Sequence, residues 1–287
     1  MGTLFLVATP IGNRADISPR AVETLGSVDL IAAEDTRHTG RLLQHLGIER
    51  PLLSYHALNQ RARRDRLLAA LSDGDVALVS DAGSPGISDP GFDIVTAAID
   101  AGYPVSPVPG PSSIIAAVSA SGLVEGPFLY QGFLPRKGGD RRRAIARAGL
   151  TGAPVVVFEA ANRLVRTLGD LREALPARQI AVARELTKLH EEIRRGTYDE
   201  LMRRFESEPA RGEIVIVVGP SVSVEEAADD DDVAALVQTL LQGGMSPSEA
   251  AREASSISGM SRSEAYRLTQ GLVRRPGEDH TLSKRKG

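Results

Sequence analysis

The chain has 287 residues and contains neither cysteine nor tryptophan. Without cysteine there is no disulfide framework, thiolate zinc site, iron–sulfur cluster or thiol nucleophile, and the composition suits a reducing compartment. Aromatic residues make up only 4%, which counts against ring stacking as the main way of holding a ligand. The five histidines, His38, His45, His56, His190 and His280, show no H-x-x-x-H spacing, so no metal site is expected. Long hydrophobic runs are also missing. Ala101 to Val124 is uncharged, but Pro104, Pro107, Pro109 and Pro111 and its serines make it no membrane span. The opening MGTLFLVATPIGN has no basic stretch of the signal-peptide kind, and a cytoplasmic protein is expected.

What is present is ordinary globular composition, 42% hydrophobic and 25% charged. The length suggests two domains with room for an appendage. A net charge of −3 excludes a uniformly basic nucleic-acid binder, but the total hides a pattern. Residues 1–124 carry a net −4, residues 125–220 a net +4, and residues 221–287 a net −3. Within the middle block, Arg136, Lys137, Arg141, Arg142, Arg143 and Arg147 face only Asp140.

Short β-branched runs alternate with helical patterns through the first half. Strands are expected at Thr3–Thr9, Val28–Asp35 and Asp75–Gly83, with another at PVSPV (Pro104–Val108). Ser18-Pro19 reads as an N-cap with proline at the first helical position. Further helices are expected from Thr36 to near Gly47, over Arg61–Gly74 and Pro90–Gly102, and from Ser112 onward. Such alternation predicts a mostly parallel sheet covered on both faces. A second α/β unit follows, with strands at Phe128–Phe133, Ala153–Ala160, Gln179–Glu185 and Gly212–Gly219. We expect domains at 1–121 and 122–220, an acidic linker at 221–232 and a helical tail at 233–287. In the tail, Ser246…Glu249 and Ser261…Glu264 fit capping boxes. Gly259 between them gives a helix-turn-helix pattern, either a packed cap or a nucleic-acid contact. Arg262, Arg267, Arg274, Arg275 and Lys284-Arg285-Lys286 favour the contact.

Three Gly/Pro-rich turns follow strand patterns: Leu6–Asn13 (LVATPIGN), Ser80–Gly91 (SDAGSPGISDPG) and Val108–Gly122. Ligands in open α/β sheets bind beyond the carboxyl ends of strands, so these turns are placed to line one crevice. No G-x-x-x-x-G-K-[ST], G-x-G-x-x-G or G-x-S-x-G motif occurs. Ala33-Glu34-Asp35-Thr36-Arg37 is the densest polar cluster at a strand end. Its plain reading is helix capping by Asp35 or Thr36. Its functional reading has Glu34, Asp35 and Arg37 facing the crevice to handle a hydroxyl or a phosphate.

LVATPIGN, AEDTR, SDAGSPGISDPG, VPGPSS and GFLP (Gly132–Pro135) occur in that order. Together they resemble the ribosomal RNA small subunit methyltransferase I family, the cytidine 2′-O-methyltransferase branch of the tetrapyrrole methylases. The resemblance covers about residues 2–220 and extends to a small C-terminal helical domain. It implies two α/β domains holding S-adenosylmethionine in the cleft between them, and a homodimer. It implies cofactor contacts from Pro10, from Ser80, Asp81, Ala82, Gly83 and Pro85, and from Ser112 and Ser113. Glu159, Leu186 and Thr187 would approach the adenine side. The acceptor it implies is the ribose of a cytidine in the decoding region of 16S ribosomal RNA, in the small subunit.

Methyl transfer of this kind needs positioning and a group to take the hydroxyl proton, but no metal. Glu34 and Asp35 are the candidates for the proton, with Arg37 orienting a phosphate or the sugar. The basic segment Arg136–Arg147 is expected to contact RNA phosphates, against the plain reading of a solvated helix face. Two other functions fit parts of the pattern. One is a small-molecule methylase acting on a tetrapyrrole, disfavoured by the basic segment and the few aromatics. The other is a non-enzymatic nucleic-acid-binding regulator working through the tail.

Overall fold

A computed structural model describes residues 2–149, 152–221, 233–234, 237–238, 240–241, 245–258 and 260–273. The expected acidic run Asp229–Asp232, Gly259, Arg274, Arg275 and Lys284–Lys286 lie outside the described residues. The chain divides into two compact units, Met1–Ser221 and Val222–Gly287.

The first unit opens with a sheet of β1 (Leu4–Val7), β2 (Leu30–Ala33), β3 (Leu52–Ser54), β4 (Val76–Val79) and β5 (Val105–Val108), in the order β3-β2-β4-β1-β5. Every pairing in it is parallel. Its central strands are continuously apolar (VALV in β4, buried at all four positions) because helices cover both faces. One face packs Leu67, Leu71, Ile94 and Ala98 on the sheet, the other Ala21, Leu25 and Leu43. Each such aliphatic side chain contributes about 1.5–3 kcal/mol on full burial.

The covering helices are α1 (Pro19–Ser27), α2 (Thr36–Leu46), α3 (Gln60–Asp73) and α4 (Phe92–Asp100). Ser18 caps α1 as its sequence predicts, its Oγ accepting from the Ala21 N–H at 3.1 Å. Asp35 caps α2, and Gly47 closes that helix in the left-handed conformation. The three-residue β3, too short to show alternation, is absent from the expected strands.

The second sheet holds β6 (Leu129–Phe133), β7 (Val155–Ala160), β8 (Ile180–Arg184), β9 (Glu192–Gly196) and β10 (Glu213–Val218), in the order β6-β7-β10-β8-β9. Only β6 and β7 run parallel; the other pairs are antiparallel. Helices α6 (Gly139–Gly149), α7 (Leu164–Ala174) and α8 (Tyr198–Ser207) cover one face. The opposite face is covered by α5 (Ser113–Ser121), which follows β5 directly. Its Ala117 packs among Val156, Ala183, Leu186 and Val215. One helix therefore fixes the second sheet against the loops at the end of the first, and a pocket lies between them.

In the second unit, Val233, Val237 and Ala254 form a small core with Leu268 and Leu272 around α9 (Pro247–Ser258) and α10 (Arg262–Val273). Ser246 and Glu249 make a reciprocal cap. The Glu249 carboxylate accepts from the Ser246 N–H at 3.0 Å, and Ser246 Oγ accepts from the Glu249 N–H at 3.4 Å. Ser261 likewise accepts from the Glu264 N–H at 3.3 Å.

Candidate functional site

The pocket has a volume of about 470 Å3, within the range of small-molecule sites. Its floor comes from the carboxyl ends of β2 and β4 and the long loop after β4. Gly83 in that loop adopts φ +76°, a conformation costly for any residue with a Cβ. There it exchanges two backbone hydrogen bonds with Thr9, at 2.9 and 3.0 Å, which ties the first and second Gly/Pro turns together. Beneath the loop, the buried Ser80 donates to the Ala82 carbonyl at 3.2 Å. Asp81 accepts from the Asp35 N–H at 3.1 Å, locking the loop to the start of α2.

Among the sequence-predicted residues, Glu34, Asp81, Ala82, Gly83, Ser112, Ser113 and Leu186 line this pocket. Ser80 and Pro85 are buried under its wall, and Pro10 is not one of its lining residues. Thr187 stands beside it on the strained turn after β8, with φ +65°, its Oγ1 buried without a hydrogen-bond partner among the described residues.

Four residues sit elsewhere than the sequence suggested. The Asp35 carboxylate is turned to the end of α2, accepting from the Arg37 N–H at 2.8 Å and ion-paired with its guanidinium at 2.9 Å. That arrangement holds its pKa far below the ordinary carboxylate range. Asp35 and Arg37 thus neutralise each other outside the pocket lining, and the capping reading describes their geometry. Glu159 is fully buried on the far side of the second sheet, so it presents no oxygen to the pocket. It accepts from Thr167 Oγ1 at 2.6 Å and pairs with Arg141 and Arg163. Arg141 is buried with it, its Nε donating to Asp170 at 2.6 Å. A guanidinium so engaged is not free to meet a phosphate. Arg136, Lys137, Arg142, Arg143 and Arg147 are exposed, and Arg143 pairs with Asp140.

The pocket also assembles groups that sequence reasoning missed. Asp89, Glu185 and Glu213 join Glu34 and Asp81 on its wall, with Lys188 as the one cation among the lining residues. Lys188 is itself held by Glu185 at 2.9 Å. Crowding shifts the acids: burial, reinforced by Asp81, pushes the Glu34 carboxyl up. Burial, reinforced by Glu34, Glu213 and Asp81, pushes the Asp89 carboxyl up to about 6. The signal available for Asp89 was its place in SDPG, inside a loop expected to wall the crevice.

Aromatic side chains line the same pocket as the acids. Phe128, Tyr130, Phe133 and Phe158 line the pocket, drawn from the chain's five tyrosines and six phenylalanines. Phe158 meets Tyr130 and Phe133 edge-on, each at 5.3 Å between centroids, a favourable geometry for rings. Tyr130 is fixed by a 2.6 Å hydrogen bond with Ser88 of the long loop.

The chain is similar to known proteins in sequence and in fold. The family of Tetrapyrrole (Corrin/Porphyrin) Methylases matches residues 3–202, and the RsmI C-terminal HTH domain matches residues 227–272. Ribosomal RNA small subunit methyltransferase I of Synechocystis sp. is 43% identical over 281 residues, covering 95% of this chain and 99% of the relative. The protein of that name from Escherichia coli O157:H7 is 42% identical over 270 residues, covering 93% and 94%. Among solved structures, a cobalt precorrin-4 methyltransferase superposes with a TM-score of 0.58 at 15% identity, over 76% of this chain and 94% of that one. A uroporphyrin-III C-methyltransferase from Thermus thermophilus, complexed with S-adenosylhomocysteine, gives 0.53 at 21% identity, over 78% and 100%. Those two likenesses establish the fold, and the sequence matches extend along most of the chain. The chain belongs to the ribosomal RNA small subunit methyltransferase I family, a branch of the tetrapyrrole methylases.

Proposed function

We propose that this methyltransferase uses S-adenosylmethionine to methylate the ribose 2′-hydroxyl of a cytidine in the decoding region of 16S ribosomal RNA, within the small subunit. We further propose that it works as a homodimer in the cytoplasm. The observation that carries the reading is one pocket with a carboxylate wall, an aromatic wall and a basic segment leading away from β6. When bound, S-adenosylmethionine supplies an electrophilic methyl group on a sulfonium.

The residues present fit that group. Its sulfonium and ammonium are cationic, and five carboxylates against one lysine give the pocket a matching field. Its ribose and amino-acid ends need small polar contacts, which the loop Asp81–Ser84 and the hydroxyls of Ser112 and Ser113 offer. Rigid loops supply positioning, the main lever for an in-line displacement. Glu34 and Asp89 are the groups placed to take the hydroxyl proton. Asp89 has a pKa of about 6, near the optimum for a base working around neutrality. Arg136, Lys137, Arg142 and Arg147 supply phosphate contacts.

The test is to incubate the protein with methyl-labelled S-adenosylmethionine and small ribosomal subunits, naked RNA, DNA or a tetrapyrrole. Label on a cytidine ribose of the subunit RNA is expected. Label on the tetrapyrrole alone, or on nothing, overturns the reading.

A further inference from the structure

Tyr130 and Phe133 are three residues apart on β6, and in a regular strand they would point to opposite faces of the sheet. Both line the pocket. The register between β6 and β7 slips between Tyr130 and Gly132, and Gly132 adopts φ +68°. This is a bulge, which inserts one residue and re-aims the side chains after it. Its effect is to bring Phe133 round beside Phe158 while leaving the ring 51% exposed. Ile87 and Ile115, also on the pocket wall, are 49% and 57% exposed. The open part of the pocket is therefore largely apolar, while Glu34, Asp81 and Asp89 are partly buried.

The segment after Phe133 is held firmly. Arg141, buried against Glu159, donates to the Pro135 carbonyl at 3.1 Å. From there the chain passes straight into exposed Arg136 and Lys137. One short stretch thus offers an open ring face and then two cations, the pairing that single-stranded nucleic acid requires for a base and its neighbouring phosphates.

We propose that Phe133 is the stacking platform for the nucleobase of the acceptor nucleotide, which enters the pocket turned out of its stack. The inference rests on the proposed RNA methylation. A ribose held within a helix stays at the rim, away from the partly buried Glu34 and Asp89. Swinging the nucleotide inward strips its base of stacking neighbours, and the bulge supplies a replacement where that base must rest. The half-exposed ring suits a group arriving from outside.

The experiment compares the full-length wild type, F133A and F133W on small-subunit particles reconstituted with RNA that is either intact or abasic at the acceptor. Calorimetry with S-adenosylmethionine runs in parallel. We expect F133A to lose about 10- to 100-fold in kcat/KM on intact RNA. F133W should recover most of that, and cofactor affinity should stay within about twofold. On abasic RNA, wild type and F133A should be equal, because no base is there to stack. An equal penalty on intact and abasic RNA overturns the platform. So does a matching fall in cofactor affinity, which would assign the ring to the purine. A wild type that labels no RNA overturns the proposed function itself; a wild type that labels RNA beside an equally fast F133A overturns only the platform.

Discussion

Arg141 and Glu159 approach to 3.5 Å inside the protein, with side-chain exposures of 4% and 0%. They join α6 to β7, and Thr167 bridges them from α7, accepting from Arg141 at 2.7 Å and donating to Glu159 at 2.6 Å. Buried charges are tolerated only when paired and hydrogen-bonded. Here each member is, and the network also fixes the Pro135 carbonyl that ends the GFLP segment.

Removing one partner should therefore be severe. Arg141→Ala leaves Glu159 buried with only Arg163 as counter-charge, and about 3–5 kcal/mol of stability should vanish. Arg142→Ala, one residue along on the exposed face of α6, should cost less than about 0.5 kcal/mol. Urea denaturation of the two variants checks the contrast. Equal midpoints would show that the network does not stabilise the fold.

The run Arg141-Arg142-Arg143 shows what the sequence could and could not disclose. Helical phase alone turns Arg141 inward, and its buried partner lies far along the chain. Glu159 resembles a pocket acid for the same reason: β7 alternates its side chains between two faces, and only the sheet order says which face meets the pocket. Local signals fared better. The Ser18 and Ser246 caps, the glycine stop at Gly47 and the apolar run of β4 were legible because each depends on a few adjacent residues. β9 (EIRRG) escapes sequence reading because it is an edge strand whose polar side chains carry no hydrophobic alternation. The aromatic wall escapes it because scarcity is an average, and averages say nothing about convergence.

RNA binding should follow the corrected basic surface. Besides Arg143, which pairs with Asp140, the exposed set is Arg136, Lys137, Arg142 and Arg147. Replacing all four by alanine should weaken binding steeply at low salt. The slope of log affinity against log salt should become shallower by roughly 0.7–0.9 for each phosphate no longer neutralised. A titration of small subunits at several salt concentrations measures this. An unchanged slope would place the RNA on another face.

Asp35 and Glu34 should separate cleanly. Asparagine caps helices as well as aspartate, so Asp35→Asn should keep α2 intact and leave methyl transfer within about threefold of wild type. Glu34→Gln acts on the pocket wall and should slow transfer by about 100-fold, the lower end of the usual range for acid–base groups. Initial rates at saturating cofactor decide the matter. A slow Asp35→Asn beside a fast Glu34→Gln would return the chemistry to the α2 cap.

Asp89 makes opposite predictions for stability and for rate. Folding raises its pKa from 3.8 to about 6, so between these values the folded state binds more protons than the unfolded one. Its carboxylate is therefore an increasing burden as pH rises from about 4 to about 6, and the burden is constant above that. Asp89→Asn removes the charge and should stabilise the protein at pH 7, by about 1 kcal/mol once screening by solvent is allowed for. The gain should vanish near pH 4, where wild type is protonated as well. Activity should move the other way. Wild-type transfer should rise through a limb near pH 6 as Asp89 ionises, and Asp89→Asn should lack that limb and run slower throughout. Thermal melts and rate profiles on the same samples test both signs. A variant that is more stable at pH 7 yet retains the limb would leave Glu34 as the group that takes the proton.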